Sequence, residues 1–263
     1  MGNLGTIVCD LDGVLYRGSE PVAGAGDALD RVSTAGFRLL FATNNATRTA
    51  DEVAAAIRVR TGHAVAPEQV VTSAMATAHH LAGTVGGVFV VGGRGLGATL
   101  VAAGVPVVVD WRGTDCVVVG LDVELTYAKL ADATLAVRAG ARLVASNDDA
   151  TYPAPHGLVP GAGAIVAAVE RATGATAEVC GKPHLPMRWL ISELAGDGPV
   201  VVVGDRIETD VALGQAEGWV TVLTLTGVTT PEEAASAGAD HVVASIADLP
   251  AILGFSGPSG LSA

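Results

Sequence analysis

With 263 residues, the chain is long enough to bury one large core or two modest ones. Hydrophobic residues make up 50% and aromatics only 4%, so small and β-branched side chains must build that core, and Gly, Asp, Arg or Pro breaks every apolar stretch short of a bilayer span. A formal charge of −12 lacks the clustered Lys and Arg that nucleic-acid phosphates require, leaving a soluble globular protein with neither nucleic acid nor membrane as a partner.

Apolar runs alternate with helical spacing from end to end, which predicts βα units and a mainly parallel α/β sheet. Thr6 to Asp10 reads as the first strand, and Ala25 to Ala35 as a helix stopped by Gly36. Phe37 to Ala42 is the second strand, Thr49 to Arg60 a helix closed by Gly62, and Val70 to Thr72 a short third strand before a helix over Ser73 to Leu81. A second series follows, with strands at Val88 to Val91, Cys116 to Val119 and Arg142 to Ala145 and helices at Leu96 to Ala103, Thr126 to Ala139 and Gly163 to Ala172. Val200 to Val203, Val220 to Thr224 and His241 to Val243 then resume the strand rhythm, before a loose Gly- and Ser-rich tail from Gly254. Both ends of the chain thus contribute to one core, interrupted by an inserted domain of about a hundred residues.

The start Met1-Gly2-Asn3-Leu4-Gly5-Thr6 has no basic region or cleavage site of a signal peptide. It fits a loose acylation pattern, but the first strand begins too soon and no second membrane signal accompanies it. Cys9, Cys116 and Cys180 are odd in number and far apart, as small core residues of a reducing, cytoplasmic compartment are. No C-x-x-C or H-E-x-x-H spacing occurs, which argues against zinc; the adjacent His79 and His80 read as helix residues.

Four segments carry chemistry. Asp10 and Asp12, one residue apart after the first apolar run, would repel each other unless something positive lay between them, and a divalent cation is the obvious candidate. Gly13 lets the backbone turn beside whatever is bound. Thr43-Asn44-Asn45 ends the second strand in a hydroxyl and two amides, suited to an anion. Gly181-Lys182-Pro183 sets a lysine against an expected helix start, with Pro183 in the first turn, where cation and helix N-terminus together favour a phosphate. The valine run 200–203 has the character of a buried central strand, so Asp205 should emerge at the same sheet edge as Asp10. Taken singly, each segment is also what an ordinary strand end or solvated turn looks like.

In their order, Asp10-Leu11-Asp12-Gly13-Val14, Thr43-Asn44-Asn45, Gly181-Lys182-Pro183 and Gly204-Asp205 to Asp210 resemble the four motifs of the haloacid dehalogenase-like phosphatases. The closer likeness is to the NagD-like branch, which includes 4-nitrophenylphosphatases and the phosphoglycolate, glycerol-phosphate and pyridoxal-phosphate phosphatases. The resemblance implies a Rossmann-like parallel-sheet core, residues 1–78 and 180–263, carrying an inserted α/β cap of the C2 type, residues 79–179. It implies a hydrolase of small phosphate monoesters, sugar phosphates and nucleoside monophosphates among them. Asp10 would be the nucleophile that becomes an aspartyl phosphate, and Asp12 the acid and base for the leaving group and the water. Mg²⁺ would be held by the Asp10 carboxylate, the Asp12 carbonyl and Asp205, with Asp210 in support. Thr43, the Asn44 backbone and Lys182 would hold the phosphoryl oxygens. Asn147, Asp149 and Tyr152 fall in the region that faces substrate in such caps, and the cap is also where such proteins often dimerise.

Other readings stay open at this level. A phosphotransferase or phosphomutase could use the same Asp10 chemistry, and a phosphate-sensing module would need no leaving-group acid. Gly93-Arg94-Gly95-Leu96-Gly97-Ala98 fits G-x-G-x-x-A after a strand, with Asp110 closing the next apolar run, as in a dinucleotide-binding oxidoreductase.

Overall fold

A computed structural model describes residues 4–154 and 157–254. The acylation pattern at residues 1–3, His156 and the tail beyond Gly254 lie outside the described residues. By its internal contacts the chain forms two compact units, one of Met1–Ala42, Ala54–Val70 and Ile191–Ala263, the other of Thr43–Val53 and Val71–Leu190. Among the described residues no helix is long and apolar enough to cross a membrane.

A six-stranded sheet runs in the order His241–Val243, Val220–Thr224, Val200–Gly204, Thr6–Cys9, Arg38–Thr43, Val70–Thr72. Pairing from Arg38–Thr43 out to His241–Val243 is parallel throughout. Thr6–Cys9 and Val200–Gly204 are buried along their whole length, as central strands covered on both faces must be, which explains their unbroken apolar character. The first strand ends at Cys9, one residue short of the sequence-based expectation, because the chain turns there. The amides of Leu15 and Tyr16 both bond to Leu11 O, and that of Gly13 bonds to Tyr16 O at 2.8 Å.

The second sheet is parallel as well, in the order Glu178–Val179, Arg142–Ala145, Cys116–Val119, Val88–Val91, Val107–Val108. Its core packs Val91, Val117, Val119 and Leu143 against Ala133, Ala136, Ile165 and Val169 from the helices Tyr127–Arg138 and Ala162–Thr173. Threonine hydroxyls cap two helices in this unit: Thr72 accepts from Met75 N–H at 3.2 Å and Thr126 from Lys129 N–H at 3.2 Å.

The glycine-rich turn at Gly93 has a purpose unrelated to nucleotides. It opens the helix Arg94–Ala102, but a Cβ on Gly95 would lie 2.6 Å from Thr47 O, so the backbone of Thr47 and Arg48 occupies the close approach that a pyrophosphate would need. Gly95 N–H donates to Thr47 O at 3.2 Å, and Asp110 is exposed and paired with Arg112.

Arg142 grips the Glu178 carboxylate with two bonds, 3.1 Å from Nε and 2.9 Å from NH2, and His80 adds a third contact at 3.1 Å. The guanidinium first, and the imidazole after it, hold the Glu178 carboxyl below the usual carboxylate range. A lowered folded value makes the contribution complete above the unfolded carboxyl's pKa, about 4.3, and removes it as pH falls through the folded value. Side-chain exposures of 37% and 48% limit its size to about 0.5 kcal/mol. The stability gap between wild type and Glu178→Gln, measured by urea unfolding, should therefore be present at pH 7 and shrink as the pH is lowered below the unfolded carboxyl's pKa of about 4.3; an unchanged gap would contradict the ion pair.

All three cysteines are buried and none is in a disulfide, and burial pushes the thiols of Cys116 and Cys180 up to about 12. Iodoacetamide at pH 8 should leave both unmodified in the native protein and label them in denaturant, as mass spectrometry would register. Native labelling of either would contradict its place in the core.

Candidate functional site

The two units each gather a set of the residues singled out in the sequence. In the first, Asp10 follows Cys9, whose strand neighbour Val203 precedes Gly204 and Asp205, and Asp10 N–H donates to Val203 O at 2.8 Å. The parallel register delivers Asp10 and Asp205 to the same carboxyl edge, as expected. One carboxylate oxygen from each of Asp10, Asp205 and Asp210 lies within 4.8 Å of the others, while Asp205 and Asp210 are each 2% exposed.

Asp210 joins them through a π-helical turn, Ile207–Val211, that the sequence did not reveal. Its Oδ2 accepts from Arg206 N–H at 3.2 Å and from the Thr209 hydroxyl at 3.3 Å. Gly204 makes the room, since a Cβ there would lie 2.5 Å from Asp210 Oδ2. Gly13, in the left-handed region at φ 88°, does the same for Asp205, whose Cγ would lie 2.6 Å from a Cβ at that position. Asp12 sits in the turn between the strand and Tyr16, bridged to Tyr16 and partly buried. The carboxylates brought together are thus those of Asp10, Asp205 and Asp210. Clustered anionic oxygens in a nearly dry site are a hard donor set, fitted to Mg²⁺ or a similar divalent cation and unsuited to soft metals.

In the second unit, Thr43 ends its strand and its hydroxyl accepts from Asn45 N–H at 3.1 Å. Asn44 is a hub. Its Oδ1 accepts from Lys182 N–H at 2.7 Å, while its Nδ2 donates to Lys182 O and to Asp149 Oδ1, each at 3.2 Å. Its main-chain oxygen accepts from the Ser73 hydroxyl at 2.6 Å and from Asn147 Nδ2 at 2.8 Å. Asn147 Oδ1 in turn accepts from Asp149 N–H at 3.2 Å. Lys182 is 3% exposed and Asn147 4%, so their polar groups require partners of this kind. Tyr152 stands apart, half-buried on the hairpin of Thr151–Ala154 with Gly157–Pro160, opposite Val159.

Lys182 does not immediately precede a helix. The Lys182–Pro183 peptide is cis within a turn closed by His184 N–H on Gly181 O at 2.8 Å, and the helix starts at Leu185, with Pro186 in the first turn in place of the expected Pro183. His184 reaches Asp148 Oδ2 at 3.2 Å, and this contact holds the Asp148 carboxyl below the usual range.

The residues missed by sequence reasoning are Ser73, Gly227, Val228 and Thr229. Ser73 reads as a helix start, and the other three belong to no element or motif singled out in the sequence. Only the Thr-Gly-Val-Thr run, small and polar at a parallel strand's carboxyl end, hinted at a site.

Residues 7–106 match the family model described as haloacid dehalogenase-like hydrolase, and residues 179–249 match that described as HAD-hydrolase-like. An acid sugar phosphatase of Staphylococcus aureus (strain USA300) is 39% identical over 229 residues, covering 85% of this chain and 87% of the relative. The p-nitrophenyl phosphatase from Archaeoglobus fulgidus superposes with a TM-score of 0.88 at 30% identity, over 95% of this chain and 100% of that one. The glycerol phosphate phosphatase from Mycobacterium tuberculosis, in complex with magnesium, gives 0.87 at 37% identity, over 94% of this chain and 76% of that one. The chain belongs to the haloacid dehalogenase-like hydrolases. Within that family it is a phosphoric monoester hydrolase of the NagD-like, 4-nitrophenylphosphatase type.

Gly181 tests the hub directly. A Cβ there would lie 2.6 Å from Asn44 Oδ1 and 2.9 Å from Asn147 Cβ. Gly181→Ala should therefore cost about 1–3 kcal/mol in denaturant unfolding; a neutral result would mean that the Asn44–Lys182 link is loose.

Proposed function

We propose that the chain is a Mg²⁺-dependent phosphatase of small phosphorylated metabolites that works through an aspartyl phosphate on Asp10. The convergence of the Asp10, Asp205 and Asp210 carboxylates within 4.8 Å at the carboxyl edge of a parallel sheet carries this reading. Those three carboxylates, with the Asp12 carbonyl, would hold the cation, which supplies charge neutralisation at the phosphoryl oxygens.

The chain's own residues do the rest. An Asp10 carboxylate oxygen attacks phosphorus, and the bond to the leaving oxygen breaks as Asp12 donates its proton to that oxygen. Water then attacks the phosphorus of the acyl phosphate while Asp12 takes up its proton, releasing inorganic phosphate and restoring Asp10. Thr43, the Asn44 backbone and Lys182 bind the phosphoryl oxygens and neutralise them as charge builds. The hydrogen bonds that clamp Asn44 to Lys182 support this role, because a donor set in advance costs no reorganisation in the transition state.

Sugar phosphates and glycerol phosphate are the first substrates to consider, on the strength of the relatives' activities. Phosphoglycolate, pyridoxal phosphate and nucleoside monophosphates come next. Discrimination among them belongs to the cap, residues 79–179, with Tyr152 on its hairpin and Asn147 and Asp149 beside it. A homodimer through the cap and a cytoplasmic setting complete the reading; the latter is supported by three buried free thiols.

Phosphate release from a panel of phosphorylated metabolites and 4-nitrophenyl phosphate should require Mg²⁺ and stop on adding a chelator. Asp10→Asn should abolish turnover, and Asp12→Asn should lower it by about 10²–10⁴-fold. Substantial turnover by Asp10→Asn would sink the covalent route.

A further inference from the structure

We propose that residues 225–229, the loop after the strand Val220–Thr224, are a positioning element that sets the Asp205 carboxylate for its cation. The inference rests on the reading of Asp205 as a metal ligand and extends it to residues that touch neither substrate nor metal.

The loop holds Asp205 at both its main chain and its carboxylate. Its main-chain oxygen accepts from the Thr229 hydroxyl at 2.6 Å and from Thr229 N–H at 3.3 Å, and its Oδ2 accepts from Val228 N–H at 2.8 Å. Just before those two residues stands Gly227, where any Cβ would overlap the Asp205 carboxyl group outright. Gly13 stands next to Gly227 against the same carboxylate, and a Cβ on it would lie 2.6 Å from Asp205 Cγ and 2.9 Å from Gly227 Cα. The carboxylate therefore packs against two adjacent bare backbones, with one oxygen pinned by an amide.

The loop is in turn fastened to the Asp12–Gly13 turn. The Thr226 hydroxyl donates to Gly13 O at 2.6 Å, and Arg17 Nε bonds to Thr226 O. Leu225 N–H donates to Val243 O at 3.0 Å, anchoring the near end of the loop to the edge strand. The turn after Asp10 and Asp12 is thus joined to the loop that holds Asp205 by the Thr226 hydroxyl and by Arg17. Fixing one oxygen of a ligating carboxylate fixes where the other can point, the means by which groups outside a metal's own ligands alter affinity by about 10–100-fold.

The test is calorimetric titration of the full-length protein with Mg²⁺ in the absence of substrate, alongside thermal unfolding of each variant. Gly227→Ala should raise the Mg²⁺ Kd by about tenfold or more, Thr226→Val should raise it by several-fold, and Thr226→Ser, which keeps the hydroxyl, should bind as wild type does. Should Gly227→Ala fail to fold, the contrast between Thr226→Val and Thr226→Ser decides. Folded Thr226→Val binding Mg²⁺ within about twofold of wild type would overturn the proposal and leave the metal site intact. A folded wild type that binds no Mg²⁺ would instead overturn the reading of the carboxylate cluster, and this inference with it.

Discussion

Three carboxylates held within 4.8 Å of one another, two of them almost wholly buried, are the constraint around which the first unit is organised. Like charges at that range repel strongly once water is excluded, so the arrangement requires a positive partner and a framework able to withstand the repulsion. The framework is the parallel pairing of Thr6–Cys9 with Val200–Gly204, whose register brings Asp10 and Asp205 out together. Backbone approach does the rest. Gly13 and Gly204 stand where any side chain would displace one of these carboxylates, and a π-helical turn carries Asp210 to its place five residues after Asp205.

The residues assigned to phosphate are built by a different means. Asn44 and Lys182 are joined by reciprocal bonds between one side-chain amide and the main-chain N–H and C=O of one residue, and Ser73 and Asn147 hold the Asn44 main-chain oxygen. Buried amides and an almost buried lysine are costly unless each donor and acceptor is matched. Once matched, they form a rigid set of donors, which is what an enzyme of phosphoryl transfer needs in order to stabilise charge as it develops. The Gly93–Ala98 turn belongs to the same construction. Its glycines admit the backbone of Thr47 and Arg48, directly after the Thr43–Asn44 segment, so a pattern that suits a dinucleotide instead supports a neighbouring loop.

The regular elements were legible because their signals are local. The strands Val88–Val91, Cys116–Val119 and Val220–Thr224 and the helix Ala25–Ala35 fall where apolar runs and flanking glycines put them. The short pieces were not. Tyr16–Arg17 with Glu20–Pro21, and Thr151–Ala154 with Gly157–Pro160, are two- to four-residue hairpins that exist through pairing with each other and carry too few residues for a period to show. Val107–Val108 is an edge strand completed by its neighbour.

The candidate site divides along the same line. Asp10, Asp12, Lys182 and Asp205 were readable because each stands at a motif whose residue types and order in the chain are distinctive. That Asp10 and Asp205 would share an edge followed from parallel strands alone. Only the tertiary structure decided that the Asp210 carboxylate, expected in support, comes within 4.8 Å of those of Asp10 and Asp205, that the helix beyond Lys182 waits until Leu185, and that Asn147 and Asp149 bind Asn44. It also decided that a Thr-Gly-Val-Thr loop encloses Asp205. The physical reason is range: a strand, a helix cap or a carboxylate pair is specified by neighbours in sequence, whereas these contacts join residues from 4 to more than 100 positions apart, and a glycine's role in them depends on what stands against its missing side chain.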